Sequence, residues 1–170
     1  MKNLEAQSTY LSDVSIGESL VGVWALKSYT NIDSQALSVE PFGPSPVGLL
    51  IYTADGFVSA QLMDPERRSS HEGDWGVWTP AEYEVFGRGY IAYCGRYEVD
   101  EMQSTVTHVP SVAFSPNLVE QRLLRRVELI DNRLDLTASY TGSNGEPALS
   151  RLEWIRMSSE SEPMPPARPW

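Results

Sequence analysis

The feature that most constrains this chain is an apolar period of two, repeated in eight segments with turn signals between them. The segments are residues 20–30, 47–53, 57–63, 89–99, 104–114, 120–130, 133–139 and 148–156. Ala54-Asp55-Gly56, Asp100–Gln103, Asp131-Asn132 and Ser143-Asn144-Gly145-Glu146 supply the tight connections, because Gly, Asn and Asp tolerate the backbone conformations that hairpin turns need. Residues 64–88 interrupt the pattern. There Thr79-Pro80-Ala81-Glu82 predicts a helix over 79–87, with Thr79 as N-cap, Pro80 in the first turn and Glu82 closing a capping box. A meander of eight strands exposes two sheet edges unless it closes on itself. An all-β, eight-stranded antiparallel up-and-down barrel with one short helix across an open end is therefore expected, and an open sandwich is the alternative.

With 170 residues the chain suffices for one core without disulfides or metals. Residues 1–15 and 158–170 are aperiodic, and the latter carry four prolines, so both are expected as flexible tails around a barrel at 16–157. Thirteen basic against 23 acidic residues give a net charge of −10, which excludes a nucleic-acid partner and disfavours an anionic membrane. One cysteine excludes a disulfide framework. No apolar run nears 18 residues and no leader pattern opens the chain, so a soluble cytoplasmic domain is expected, of unassigned oligomeric state.

In a barrel, alternate residues face the lumen. Parity places Leu20, Gly22, Trp24, Leu26 and Ser28 on one face of the first strand. It places Ile91, Tyr93, Gly95, Tyr97 and Val99 inward on the fourth, and Val106, His108, Pro110, Val112 and Phe114 inward on the fifth. Leu123, Arg125, Val127 and Leu129 follow on the sixth, and Leu152 and Trp154 on the last. The two strands flanking Asp55-Gly56 are apolar on both faces, which leaves Tyr52, Ser59 and Gln61 unassigned. The expected lumen is apolar and aromatic, with Tyr93, Tyr97, His108 and Arg125 as polar members and no carboxylate.

A guanidinium enclosed without an anion is costly, so something must satisfy Arg125. Tyrosine oxygens, backbone carbonyls, the face of Trp24, or a ligand's oxyanion or carbonyl are the candidates. Polar groups held among aromatics suit a small-molecule pocket, although His108 and the tyrosines could equally be satisfied core residues and Arg125 a clamp on Trp24. His71, Glu72 and Asp74 share one loop without a spaced partner, which does not make a metal site. Cys94 lies on the outward phase with no base beside it.

Gly22-Val23-Trp24 resembles the G-x-W that opens lipocalins and other calycins. The ordered series Leu20–Trp24, Pro41-Phe42-Gly43-Pro44, Gly48–Thr53 with Asp55-Gly56, Ser59–Met63, Gly89–Tyr93 with Gly95-Arg96-Tyr97, Val106-Thr107-His108 and Arg125–Leu129 resembles the bacterial and fungal lipocalin-like domain family across residues 18–157. The resemblance implies a single calycin-type barrel with a central hydrophobic cavity. It also implies a basic residue packed over the first-strand Trp, a part that Arg156 could take, freeing Arg125 for ligand. Small barrels of this kind in microbial natural-product pathways include cofactor-free cyclases, isomerases and dehydratases acting on polyketides and terpenoids.

The expected function is accordingly cofactor-independent chemistry on a hydrophobic, carbonyl-bearing substrate. Arg125 would hold an oxygen and His108 would act as general acid or base. Trp24, Tyr52, Gln61, Tyr93 and Tyr97 would contact substrate, and the 64–78 loop with the following helix would gate the mouth. A passive carrier of a hydrophobic small molecule, or a solidly packed structural barrel, are the alternatives.

Overall fold

The structure, a computed structural model, describes residues 14–67, 78–142 and 144–158. A short helix, α1 (Ile16–Leu20), precedes β1 (Gly22–Ile32), β2 (Ser38–Val39), β3 (Val47–Tyr52) and β4 (Phe57–Met63). Helix α2 (Pro80–Arg88) leads into β5 (Tyr90–Asp100) and β6 (Thr105–Ala113). A 3₁₀ turn at Pro116–Leu118 precedes β7 (Leu123–Ile130), β8 (Arg133–Thr141) and β9 (Pro147–Arg156). Every neighbouring pair is antiparallel, and β9 pairs back onto β1 from Trp24↔Arg156 to Ile32↔Leu149. The result is the closed eight-strand barrel, with two-residue β2 as an added flap on β1. Closure leaves none of the eight staves with a free edge.

The end of the barrel at the start of β1 is plugged. Ser15 caps α1, and the Glu101 carboxylate accepts from the Ile16 and Gly17 amides at 2.8 and 3.0 Å, where the helix has donors to spare. Leu20, at the end of α1 rather than in the strand expected over 20–30, is fully buried. The indole of Trp24 donates to the Leu20 carbonyl at 2.9 Å. The Arg156 guanidinium stacks 4.0 Å from the Trp24 ring centre and donates to the Val21 carbonyl at 2.8 Å and to the Ser19 carbonyl. Gly22 has a φ of +140°, and a Cβ there would stand 2.6 Å from Arg156 Nη1. The glycine of G-x-W is thus required both by backbone conformation and by the arginine that crosses it.

Strand parity is met on β5 and β7: Tyr93 and Gly95 are buried and Cys94 and Arg96 exposed, Val127 is buried and Arg126 and Glu128 exposed. Burial also resolves the doubly apolar strands. Leu50 and Tyr52 face in on β3, Val58, Ala60 and Leu62 face in on β4, and Ser59 and Gln61 therefore face out. Parity also holds for Trp24, Leu26, Val106, His108, Pro110, Leu152 and Trp154, and two bulges overturn it beyond them on β1 and β6. One falls between Leu26 and Ser28, so Tyr29 replaces Ser28 against the core. The other lies where Cys94 pairs with Val112 but Gly95 pairs with Pro110. The extra Ser111 turns Val112 and Phe114 outward, 64% and 53% exposed, and brings Ala113 to the core. Strand β7 starts at Leu123, three residues later than expected.

Helix α2 has the expected capping box, with Thr79 and Glu82 reciprocally bonded. It joins β4 to β5 at the unplugged end, its Gly87 close to the Phe114 ring. Residues 1–13 and 159–170, most of the two expected tails, lie outside the described residues, as do residues 68–77 with His71, Glu72 and Asp74.

Candidate functional site

Three inward side chains from three strands meet in the lumen. The Tyr52 hydroxyl (β3) lies 2.7 Å from His108 Nε2 (β6), and the Tyr93 hydroxyl (β5) lies 2.8 Å from His108 Nδ1. His108 and Tyr52 are each 1% exposed. Burial, reinforced by the Arg125 cation, lowers the His108 pKa to about 3, so the imidazole is neutral at physiological pH. Burial likewise pushes both phenols up, Tyr52 well above its ordinary range, with Arg125 pulling the other way on each.

Hydrogen bookkeeping then fixes the direction of the chain. A neutral imidazole donates at one nitrogen and accepts at the other. If Nε2 carried the proton, Tyr52 would accept it, and its own buried hydroxyl hydrogen would have no second acceptor. If Nδ1 carries the proton, Tyr52 donates to Nε2 and Nδ1–H donates to the Tyr93 oxygen. Only the Tyr93 hydroxyl hydrogen is then left over, and Tyr93 lines the chamber, where that hydrogen can reach an acceptor. The second arrangement avoids an orphaned buried donor and is the one assigned.

The lumen opens beside this triad. An inner chamber of about 90 Å³ is lined by Tyr29, Tyr93, His108, Arg125, Leu152 and Trp154, among others. Tyr29, Arg125, Ser150 and Leu152 also line a vestibule of about 420 Å³ at the barrel mouth, together with Asn31, Leu123 and Tyr140. Arg125 therefore stands on the boundary between the two. It donates to its neighbour's carbonyl, Leu124 O, at 3.2 Å, and among the described residues no carboxylate pairs with it. Arg156, not Arg125, covers Trp24.

Of the residues expected to form the site, Tyr93, His108 and Arg125 line the chamber. Tyr52 stands behind His108, and Tyr97 lies edge-on to Tyr52 with its hydroxyl donating to Thr53 O at 3.0 Å. Trp24 lies beneath Arg156 at the plugged end. Gln61, expected against the substrate, is on the outer wall, where its Oε1 accepts from Tyr90 at 2.9 Å. The pattern left out Tyr29 and Asn31, which the bulge in β1 swings inward, and Ser150, whose phase with Leu152 and Trp154 was the available signal. Phe42, from the loop after β2, stacks edge-on against Tyr29 at 5.3 Å and shores up that wall. The chamber and vestibule line no residue of α2 among those described, and most of the expected gating loop lies outside them.

Among the described residues no His, Cys, Asp and Glu group could hold a metal ion, and no helix is long and apolar enough to cross a membrane. A search of curated proteins returned no match. The lipocalin-like domain family model matches residues 21–157, most of the chain and all eight barrel staves. A closed antiparallel barrel, plugged beneath its G-x-W tryptophan and hollow at the other end, is suited to a small hydrophobic ligand. The chain belongs to the lipocalin-like domain family.

Proposed function

We propose that this barrel is a cofactor-independent enzyme of secondary metabolism that holds a hydrophobic, carbonyl-bearing substrate and moves a proton on it, in a cyclisation, isomerisation or dehydration. One observation carries the reading: a hydrogen-bonded Tyr52–His108–Tyr93 chain ends beside Arg125, which has no carboxylate partner among the described residues, on the wall of a mostly apolar cavity. In this reading Arg125 binds the substrate oxygen and stabilises negative charge as it develops there. Tyr93, protonated at neutral pH, donates a hydrogen bond to the same oxygen, and solvent water reaching the chamber through the vestibule takes up the carbon-bound proton and returns one from the bulk. His108 has both nitrogens engaged, so it orients Tyr93 rather than touching substrate itself. The aromatic and aliphatic walls preset a reactive conformation.

The completeness of that chain also favours a second reading, a passive carrier, because a static polar core looks the same from the protein side. Proton exchange separates the two. An aryl ketone such as 2-tetralone, incubated with the protein in D₂O, is followed by ¹H NMR for loss of its α-protons. The enzyme reading expects exchange accelerated about 10²-fold or more over buffer, as positioned acid–base groups achieve, and lost in Tyr93→Phe while the ketone still binds. Bound ketone exchanging no faster than in buffer would establish the carrier.

A further inference from the structure

We propose that the occupant of this site is an apolar molecule with one acidic oxygen group, a carboxylate or an ionised enol, which enters acid-first and pairs with Arg125 at the neck between vestibule and chamber. The proposal rests on the reading that the mouth binds a small molecule, and deepens it by naming the chemistry of the end that goes in.

Arg125 presents donors only and has no carboxylate partner among the described residues. Trp154, 1% exposed, lines the same chamber, and its indole N–H is buried without any partner in the protein. Tyr93, by the hydrogen count above, has its hydroxyl hydrogen free toward the lumen. A cation with no anionic partner, an indole N–H with no acceptor and a phenol hydrogen around one small space describe a receptor for a charged or strongly polarised oxygen, since buried polar groups are otherwise satisfied. The chamber, at about 90 Å³, has room for a head group and not for a drug-sized body. The body must occupy the 420 Å³ vestibule between Tyr29, Leu123, Tyr140 and Leu152. There Asn31 offers the opposite feature, a buried Oδ1 with no donor, which a hydroxyl on the ligand body would satisfy.

The test uses a matched pair of probes, biphenyl-4-carboxylate and biphenyl-4-carboxamide, equal in shape and differing in charge, titrated by calorimetry into the full chain. The carboxylate is expected to bind about tenfold or more tighter than the amide, the usual range for a charge-assisted pair. That preference should vanish in Arg125→Gln, survive in Arg125→Lys and weaken severalfold in Trp154→Phe. Arg125 is half-buried on a strand edge of the cavity, and equal melting temperatures for the Gln and Lys variants would show that both fold. Equal affinity for the two probes, or a preference that persists in Arg125→Gln, overturns the acid-first assignment while the ligand-binding reading stands. Failure of both probes to bind at millimolar concentration overturns both.

Discussion

Replacing His108 with Gln turns a buried titrating ring into a group that does not titrate, and the structure fixes what this does to stability against pH. In the native barrel the imidazole is held near pKa 3 by burial, with help from Arg125. In the unfolded chain it titrates near its ordinary value of about 6.5. Between those values the unfolded state binds a proton that the native state refuses. The stability this group lends is therefore complete above pH 6.5 and is lost as pH falls toward 3. Each pH unit in that window removes about 1.4 kcal/mol, so wild type should lose about 2–3 kcal/mol relative to His108→Gln between pH 7 and 4.5. Urea unfolding followed by tryptophan emission, with Trp24 and Trp154 as buried reporters, measures both proteins at each pH. Taking the difference between the two cancels every acid titration that both proteins share. Parallel stability curves would mean that His108 is not held neutral. A difference that shifts in wild type's favour on acidification would mean that it is an imidazolium, and the tautomer assignment would fall with it.

Other consequences are equally direct. Tyr52→Phe keeps the ring contact with Tyr97 but strands His108 Nε2, and should cost about 1–3 kcal/mol in urea. Tyr93→Phe should cost less, because water in the chamber can replace its hydroxyl; the opposite ranking would contradict the placement of the cavity. Arg156→Met removes the cation over Trp24 and two bonds to the carbonyls around α1, at about 2–4 kcal/mol. Hydrogen exchange should then accelerate in α1 while the central strands stay protected. Gly95→Ala places a Cβ 2.1 Å from the Val109 carbonyl and 2.7 Å from Pro110 Cα, contacts that only backbone movement relieves. It should destabilise by about 3 kcal/mol or more, read as a lowered or uncooperative thermal transition.

The strand count and the closure were legible because turn residues punctuate an unbroken alternation, and the lumen of β5 and β7 followed because neither strand gains a residue of its own. Legibility ended at the bulges. An inserted residue inverts every side chain beyond it, and nothing in the spacing of apolar residues announces the insertion. Val112 and Phe114 are as apolar as core residues and still face outward. Tyr29 and Asn31, on the wrong parity for a regular strand, became walls of the cavity. On β3 and β4 the difficulty was different, since Ile51 and Phe57 are apolar on the outer face, and only register could place Gln61 outside. His108 was legible as inward, but its two tyrosine partners come from strands whose register the pattern did not supply.

The charge of −10 gains a sharper meaning from the same geometry. Residues 1–19 carry a net −2 and 158–170 a net −1, so −7 belongs to the barrel. On its outer wall acids and arginines are matched to each other: Glu98 with Arg122, Asp135 with Arg133 and Arg151, Glu84 with Arg88. Among the described cations only Arg125 lines the inner chamber, whose walls hold no acid. An acidic ligand thus approaches against the long-range field and is held by a short-range contact. At about 0.1 M salt the field is screened within roughly 10 Å, whereas a half-buried pair at the neck is screened much less. Added salt should therefore speed association of such a ligand while weakening the complex only modestly, the reverse of what a basic surface patch would do. Selectivity for an acid in this barrel is a property of the unmatched donors around one cavity, and the net charge of the chain opposes it.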